Sequence, residues 1–573
     1  MTMLQGFGAR GKRWTRSLAC LLATLMVAAA CSGLPQRGEV QVVPQSETQS
    51  GGVVLDPKGP TPGATPTDLV DAFLRASSVG ASDDYQVARQ FLTPEAAARW
   101  NPGAKVSVYS DSQSAVLSQA TDGAIHLSVP ALAVVDSEGR YTQSPEKSSI
   151  SSEFSLIRDH EGEWRIAQLS DGVIMAQSVF ESLYLKSSLY FLNNTNTAYV
   201  TELRWFPRSR VLSLLAASLL KGPSEWLKDA AHSALTGDGS ARSVSVVVDG
   251  EIALVDMSES VASLSDAELS ALEGQFTKTL AATGLVSQIR LTVEGALVRE
   301  VPVADLPAYP YTATEVVGIQ DSRLVRPNPN GQTVTLSDAA WGDLGITSLA
   351  VPYTTPSMTM VALGNKNHTL YRLDTTNGES EVILEGDRVA VPSIDASDWV
   401  WSASTSSPGE IVAAPTTGGP WVHLRVPDLE DSKILKLAVS REGSRLVVLA
   451  TRDNEPYLYT FGISREQSGA PRSLGTALRI GQRFRSVTDF AWVGESRLVV
   501  LGATSENGIM EMHALDIGGP RESIAAVPNG AWIAAGRGMD SVIVTSSNGD
   551  AQRYSGGSWS EFATAVTALT YPG

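Results

Sequence analysis

The chain has 573 residues, a length that predicts about three or four domains. Apolar residues make up 43% and charged residues 18%, which is typical of folded domains. The net charge of −17 would repel nucleic acids and anionic lipid headgroups, so we expect no nucleic-acid partner. The only cysteines are Cys20 and Cys31, which excludes a disulfide framework. The six histidines are scattered, and we expect neither a metal site nor a cofactor.

The first 30 residues have the pattern of an export signal. Four basic residues lie between positions 10 and 16, no acid lies in residues 1–30, and an apolar segment follows at 17–30. That segment is too short to span a bilayer. The sequence Ala-Ala-Ala-Cys at 28–31 resembles a bacterial lipobox. The resemblance implies cleavage before Cys31 and its modification with several acyl chains, such as palmitate, at the outer face of the cell membrane. The alternative is an ordinary secretory signal that leaves Cys31 as an unmodified thiol.

Residues 31–66 read as a flexible tether, because the segment is rich in glycine, has six prolines and has few large apolar residues. Its root-mean-square reach would be roughly 30–35 Å. The folded part could therefore stand about one domain's width from the membrane.

Residues 67–184 are predicted to form an α+β domain. Residues 67–98 have a helical pattern, with a second stretch of helical spacing at 83–92, and Thr93-Pro94-Glu95 is typical of the start of a short third helix. Strand patterns then follow one another; they lie at 105–110, 113–118, 124–135, 150–158 and 163–169. Such domains are often hollow, so a small-ligand pocket is one possibility and a purely structural spacer is the other.

Residues 185–303 form a second predicted domain. A helix at 209–220 is followed by a hairpin at 243–255, whose Asp249-Gly250 predicts a type I′ turn. A second helix at 265–283 opens with the capping box formed by Ser265 and Glu268. The segments S-L-L-K-G-P at 218–223, Q-F-T-K-T-L at 275–280 and I-R-L-T-V-E-G at 289–295 resemble the GerMN family. That resemblance implies an α/β module without known catalytic residues.

Residues 314–573, beyond a short linker at 304–313, contain repeats that predict a β-propeller. The second strands of successive units lie 41 to 52 residues apart, which is the spacing of four-stranded blades. The segment 566–572 resembles the first strand of a unit at 346–352, whereas 314–338 has only outer-type strands. We therefore predict that the last strand completes the first blade and closes a ring of six.

The order of lipobox, tether, α+β domain, GerMN-like domain and propeller resembles the LpqB family of actinobacterial lipoproteins along essentially the whole chain. This resemblance implies a partner, the extracytoplasmic domain of a sensor histidine kinase of the MtrA–MtrB two-component system. We accordingly expect a membrane-anchored accessory protein that binds and modulates such a kinase without catalysis. The alternative is a module that binds cell-wall glycan or peptide at the propeller mouth, where tryptophans could stack on sugars.

A third possibility, a hydrolase, finds little support in the sequence. It lacks the P-loop, H-E-x-x-H, G-x-S-x-G and C-x-x-C patterns. Acid pairs such as Asp395 with Asp398, or Asp338 with Asp343, could mimic a glycosidase site, but we expect them to be solvated loop acids.

One local concentration of cations and aromatics stands out in this acidic chain. It comprises Arg204, Trp205, Phe206, Arg208 and Arg210. Aromatic residues and arginine are enriched at interface hot spots, which favours a partner-docking patch. The alternative places Trp205 and Phe206 in the core at the end of a strand, with the arginines exposed around the start of the next helix.

Overall fold

The computed structural model describes residues 58–121, 123–235, 244–310, 315–328, 332–353, 359–505, 508–527 and 529–573. All of these residues belong to one compact unit. Cys31 and the export signal lie outside the described residues. Within that unit, two mixed α and β domains precede a six-bladed propeller, so the predicted fold class is confirmed.

The first domain packs three helices against a mixed sheet. Its helices are α1 Pro66–Val79, α2 Gln86–Arg89 and α3 Pro94–Arg99, with α4 Gln177–Leu183 at its end. Its strands are β1 Lys105–Tyr109, β2 Val116–Gln119, β3 Ile125–Asp136, β4 Tyr141–Gln143, β5 Ser149–Arg158, β6 Trp164–Gln168 and β7 Val173–Ala176. The main strand order is β6-β5-β3-β1-β7, in which β1 and β7 are parallel.

The aromatic core of this domain follows from its helix faces. Phe73 on α1 packs edge-on against Trp100 and Phe154, with ring centroids 5.3 and 6.1 Å apart. Thr93 caps α3, as predicted, by accepting a hydrogen bond from the Ala96 amide at 3.2 Å. The predicted helix at 83–92 is wrong in length, because positive φ angles at residues 84 and 85 restrict it to α2.

The second domain contains two sheets and two longer helices. Its strands are β8 Tyr184–Asn193, β9 Tyr199–Pro207, β10 Ala231–His232, β11 Val244–Asp249, β12 Ile252–Met257, β13 Gln288–Val293 and β14 Ala296–Leu297. Its helices are α5 Val211–Lys221 and α6 Asp266–Ala281, and the predicted capping box of Ser265 with Glu268 is present. The sheet β11-β12-β13-β14 places its edge strand β11 beside α5.

The hairpin between β11 and β12 corrects one prediction. Asp249 pairs with Ile252, so the two loop residues are Gly250 and Glu251 rather than Asp249 and Gly250. Only Gly250 has a positive φ (60°), which is the pattern of a type II′ turn and not of type I′. The hairpin at Glu294-Gly295, in contrast, has positive φ at both positions.

The propeller consists of six sheets around one channel. Blade 1 comprises β15 Val317–Gln320, β16 Arg323–Pro327, β17 Thr333–Thr335 and the last strand, β39 Thr567–Thr570. Blade 2 comprises β18 Ser348–Ala350, β19 Thr359–Gly364, β20 Thr369–Asp374 and β21 Ser380–Glu385; blade 3 comprises β22 Ser393–Ile394, β23 Trp399–Ser402, β24 Glu410–Pro415 and β25 Val422–Arg425.

The remaining blades follow the same four-strand pattern. Blade 4 comprises β26 Lys433–Val439, β27 Arg445–Arg452, β28 Glu455–Arg465 and β29 Pro471–Leu474, with β30 Leu478–Ile480 also paired to β28. Blade 5 comprises β31 Ser486–Trp492, β32 Arg497–Ala503, β33 Glu511–Asp516 and β34 Arg521–Ala526. Blade 6 comprises β35 Gly530–Ala534, β36 Ile543–Ser546, β37 Ala551–Ser555 and β38 Ser558–Ala563. Strand β39 pairs antiparallel with β15, so the predicted closure by the last strand is confirmed. This pairing covers the inner edge of blade 1.

The second domain and the propeller share one hydrophobic core. Leu215 and Leu227 belong to the same cluster of buried side chains as Phe490 and Leu498 of blade 5. A continuous core of this kind resists the relative domain motion that is usual between modules joined by small polar interfaces. The relative position of these two domains is therefore fixed by packing.

Candidate interaction site

The strand β9 ends where three domains meet, and Arg204 is at the centre of this junction. Its side chain is 2% exposed. It donates to a Glu202 carboxylate oxygen and to the Ser224 hydroxyl, both at 3.0 Å, and to the Glu138 carbonyl of the first domain at 3.0 Å. A buried guanidinium with these partners joins two domains instead of presenting a charge to solvent.

The aromatic neighbours of Arg204 complete the junction. The Trp205 ring lies between Tyr141 and Phe180 of the first domain, with centroid distances of 5.7 and 5.1 Å. Its indole N–H donates to the Gly518 carbonyl of the propeller at 3.0 Å. Phe206 is 4% exposed. Trp205 thus contacts the first domain and the propeller from a strand of the second.

The other two residues of this sequence concentration lie on the surface. Arg208 and Arg210 are exposed, and the Arg208 side chain donates to the Ser182 carbonyl at 3.0 Å. The five residues therefore do not form one exposed patch. Burial of the two aromatics agrees with the alternative interpretation, but Arg204 is buried where that interpretation expected an exposed arginine. We do not place a partner contact on the three buried residues.

Further polar contacts hold the second domain against the propeller. Arg445, which is 1% exposed, pairs with Glu442 at 2.7 Å and donates to the Thr201 carbonyl at 3.0 Å. The Tyr190 hydroxyl donates to Glu495 at 2.9 Å. Burial and the adjacent Glu495 carboxylate raise the pKa of Tyr190, so the phenol keeps the proton that it donates.

The first domain is also bound directly to blade 5. The Arg483 guanidinium donates to the carbonyls of Ser144 and Ala131 at 2.9 and 2.8 Å, and Arg485 pairs with Glu146 at 2.8 Å. Together with the junction at Arg204, these contacts connect all three domains. The surfaces of the three domains therefore keep fixed positions relative to one another when a partner binds any one of them.

The second domain presents an open sheet face opposite its helices. In the cross-strand register, Val247 lies beside Leu254, and Leu254 lies beside Arg290. Val247 is 60% exposed, Leu297 at the other edge is 61% exposed, and Arg290 is also exposed. We call this surface, centred on Val247, Leu254, Arg290 and Leu297, the open sheet face.

Sequence reasoning did not identify the open sheet face. The run Ser243–Val248 has apolar residues on both sides of the strand, a pattern that predicts burial on two faces. The structure covers only the side of Val246, which packs against the shared core. The structure makes β11 an edge strand with exposed β-branched residues, a surface prone to pairing with a partner.

The acid pairs considered for a hydrolase have unrelated environments. Asp395 is completely buried and accepts hydrogen bonds from the Trp401 indole at 2.7 Å and from Arg465 at 2.5 Å, so the expectation of a solvated acid is wrong there. Burial, with the adjacent Asp395, raises the pKa of Asp398. Asp338 and Asp343 are exposed. Asp395 is thus engaged in propeller packing, which leaves it unavailable as a catalytic base.

The propeller tryptophans separate into core and channel residues. Trp341, Trp401 and Trp492 are at most 4% exposed, and Trp399 and Trp421 pack against hydrophobic clusters. Trp532, on the inner strand of blade 6, is 44% exposed and lines the central channel. Among the tryptophans considered for sugar stacking, Trp532 is thus the most exposed.

Comparison with protein families supports all three domains. The family model for the N-terminal domain of lipoprotein LpqB matches residues 59–181. A sporulation and spore germination model (Germane) matches 188–299. The model for the LpqB β-propeller domain matches 322–572. The chain belongs to the LpqB lipoprotein family.

Relatives from the LpqB family align along most of the chain. Lipoprotein LpqB of Streptomyces avermitilis is 25% identical and the alignment covers 95% of this chain and 96% of that protein. The LpqB of Streptomyces coelicolor is 26% identical, with 99% of each chain covered. The LpqB of Rhodococcus opacus is 31% identical over 43% of this chain and 41% of its own length.

Two solved structures align with less than half of this chain. TolB from Acinetobacter baumannii is 13% identical, covers 46% of this chain and 67% of its own, and has a TM-score of 0.36. A putative TolB from Agrobacterium tumefaciens is 14% identical, with 44% and 88% covered and a TM-score of 0.31.

Within the described residues, no helix combines the length and apolarity needed to cross a membrane. The names of the LpqB relatives agree with a lipid-anchored protein. The predicted anchor, Cys31, lies outside the described residues and stays a prediction.

Proposed function

We propose that this LpqB-family protein is anchored to the outer face of the cell membrane through lipid on Cys31. There it binds the extracytoplasmic domain of a sensor histidine kinase of the MtrB type and modulates the kinase without catalysis. The observation that carries this proposal is the open sheet face, on which the exposed side chains of Val247 and Leu297 lie near the exposed Arg290 among polar neighbours, held in place on a body of three joined domains. Exposed apolar surface of this kind marks interaction sites in soluble domains.

The chemistry of the open sheet face suits a folded protein partner. Val247, Leu254 and Leu297 supply apolar contact area, and the Arg290 guanidinium supplies directional donors to a carboxylate or carbonyl. The outer backbone edge of β11 could also pair with an extended segment of the partner. These features provide binding without a reactive group.

The tether supports a partner close to the membrane. Its predicted reach of roughly 30–35 Å keeps the folded body near proteins anchored in the same bilayer. Confinement raises the effective concentration of the two partners for each other. The acidic body, with a net charge of −17 for the whole chain, would not adhere to anionic headgroups and would stay free to bind.

The test uses the full-length lipidated protein in phospholipid vesicles with the full-length kinase. We expect the protein to bind the kinase and to change its autophosphorylation rate. Val247→Asp places a charge on the open sheet face and should weaken binding at least tenfold. Val382→Asp is the matched control, because Val382 is 51% exposed on an outer strand of blade 2.

Two outcomes would overturn the proposal. The first is that wild-type protein neither binds the kinase nor changes its activity at micromolar concentration. The second is that Val247→Asp and Val382→Asp bind equally well, which would remove the open sheet face as the contact. Unchanged thermal unfolding of both variants would confirm that any difference reflects the surface.

A further inference from the structure

The inner strands of the six blades surround a cavity of about 390 Å³. Small-molecule sites in proteins usually have volumes of about 300–1,000 Å³. The lining combines apolar strand residues with a small number of charged and polar groups, which is also the usual composition of such sites. None of these residues belongs to the open sheet face.

Arg441 closes one end of this channel. It follows the inner strand of blade 4, yet its guanidinium donates to the Ala535 carbonyl, just after the inner strand of blade 6, at 3.1 Å and to the Tyr353 hydroxyl, just after the inner strand of blade 2, at 2.8 Å. It also donates to the Pro572 carbonyl after blade 1. Contacts to blades across the ring place the guanidinium near the axis, so the cavity has a polar floor.

The Arg441 floor is reinforced from below by the linker. Tyr309 is buried, its hydroxyl donates to the Gly536 carbonyl at 2.8 Å, and Arg441 donates to the same hydroxyl at 3.3 Å. The guanidinium therefore has its hydrogen bonds satisfied by the protein. A ligand in the cavity would have to bind groups nearer the opposite end.

Nearer that end, an aromatic ring and a cation lie on opposite sides of the channel. Trp532 belongs to blade 6, and Arg388 immediately precedes the first strands of blade 3, its counterpart across a ring of six. Both side chains line the cavity and both residues are exposed. Among the described residues, Arg388 has no ion-pair partner.

A second cation lines the same cavity from blade 4. Lys436 of blade 4 pairs with Asp489 of blade 5 at 2.5 Å. Asp489 also accepts hydrogen bonds from the amides of Phe490 and Ile533 at 2.8 and 2.9 Å, so its carboxylate is already occupied. The ammonium has three N–H groups and keeps donor capacity for a ligand.

The charge of this lining is opposite to that of the whole chain. The described side chains around the cavity include three cations, Arg388, Lys436 and Arg441, and one acid, Asp489. A positive, partly enclosed channel in a protein of net charge −17 attracts small anions. The exposed Trp532 ring adds a flat apolar surface to the same cavity.

We propose that the channel binds an anionic saccharide unit, with the sugar ring against Trp532 and its carboxylate or phosphate held by Arg388 and Lys436. The C–H groups of a sugar ring pack on the electron-rich face of an indole, and a guanidinium binds a carboxylate or phosphate in a two-point contact. This inference does not depend on the kinase, because its residues lie outside the open sheet face.

The test is calorimetric titration of the full-length protein, purified in detergent, with matched pairs of sugars. N-acetylmuramic acid is compared with N-acetylglucosamine, and glucose 6-phosphate with glucose, so that each pair differs in its charged group. Inorganic phosphate is titrated as the anion without a ring. We expect at least one anionic sugar to bind at least tenfold more tightly than its neutral counterpart and than inorganic phosphate.

Three variants assign the binding to the channel. Arg388→Gln should lower the affinity for the anionic sugar at least tenfold, and Trp532→Ala should lower it to a similar extent. Both residues are exposed, so unfolding temperatures should be unchanged. Arg472→Gln, on an exposed outer strand of blade 4, is the matched control and should bind like the wild type.

Several results would overturn this inference. It fails if no anionic sugar binds at millimolar concentration, or if neutral and anionic sugars bind equally. It also fails if N-acetylmuramic acid does not bind and inorganic phosphate binds as tightly as glucose 6-phosphate. Binding that survives both Arg388→Gln and Trp532→Ala would place the ligand elsewhere on the protein.

Discussion

Removal of the last strand should destabilise the whole propeller, because β39 supplies the inner edge of blade 1. Strand β39 pairs with β15, while Val566 is fully buried and Tyr571 is 4% exposed. Burial of each of these side chains contributes roughly 1.5–3 kcal/mol, so deleting residues 565–573 should cost about 3–6 kcal/mol from these two alone. That loss is a large part of a typical domain stability of about 5–15 kcal/mol.

The assay is thermal unfolding of the full-length protein and of the deletion variant, followed by circular dichroism. For a domain of this size, a loss of about 3–6 kcal/mol should lower Tm by roughly 10 °C. Val566→Ala, which keeps the strand and its ladder, should lower Tm by less than the deletion does. An unchanged Tm after deletion would refute closure of the ring by β39.

Three further predictions follow from the anchor, the junction and a buried histidine. Cys31→Ser should move the protein from the membrane fraction to the soluble fraction, and full retention in the membrane would contradict lipidation at Cys31. Arg204→Ala leaves Glu202 buried without its cation and should cost about 3–5 kcal/mol, whereas the exposed Arg208→Ala should leave Tm nearly unchanged; equal effects would contradict the role of the junction. Burial lowers the pKa of His513 to about 4, so between pH 6.5 and 4 the unfolded chain binds a proton that the folded chain does not. Acidification over this range should therefore reduce the free energy of unfolding by up to about 1.4 kcal/mol per pH unit. Urea unfolding of His513→Gln should show a shallower dependence of this free energy on pH. The same pH dependence in the variant and the wild type would contradict a lowered pKa at His513.

The domain architecture was largely predictable because it depends on local and periodic signals. The spacing of the repeated strands predicted the blades, and the likeness of 566–572 to an inner strand predicted the closure. The capping box at Ser265 depends on residues only three positions apart, so it too was visible. The short strands β4 and β7 were missed because they have three and four residues and no clear alternation.

The roles of individual charged residues were less predictable, because their partners are distant in sequence. Arg204 contacts Glu138 of another domain, and Arg445 contacts Thr201, 244 residues away. Asp395 was expected in solvent, but Arg465 from the next blade covers it. A single sequence shows that such charges exist and not which of them become buried when the domains pack.

The channel site illustrates the same limit. Trp532 was one of several candidate tryptophans, and only the ring geometry separates it from the buried ones. Arg388 and Trp532 are 144 positions apart and belong to opposite blades. That both line one channel follows from closure of the ring and could not be read from spacing within a repeat.

Photo-crosslinking in intact cells tests the central claim most directly. A photoreactive amino acid is placed at position 247 on the open sheet face, at 297 on the same face, and at 382 on blade 2, and the captured proteins are identified by mass spectrometry. The proposed function predicts that the sensor kinase is captured from positions 247 and 297 and not from 382. Capture of the kinase from none of these positions, or from 382 alone, would contradict it.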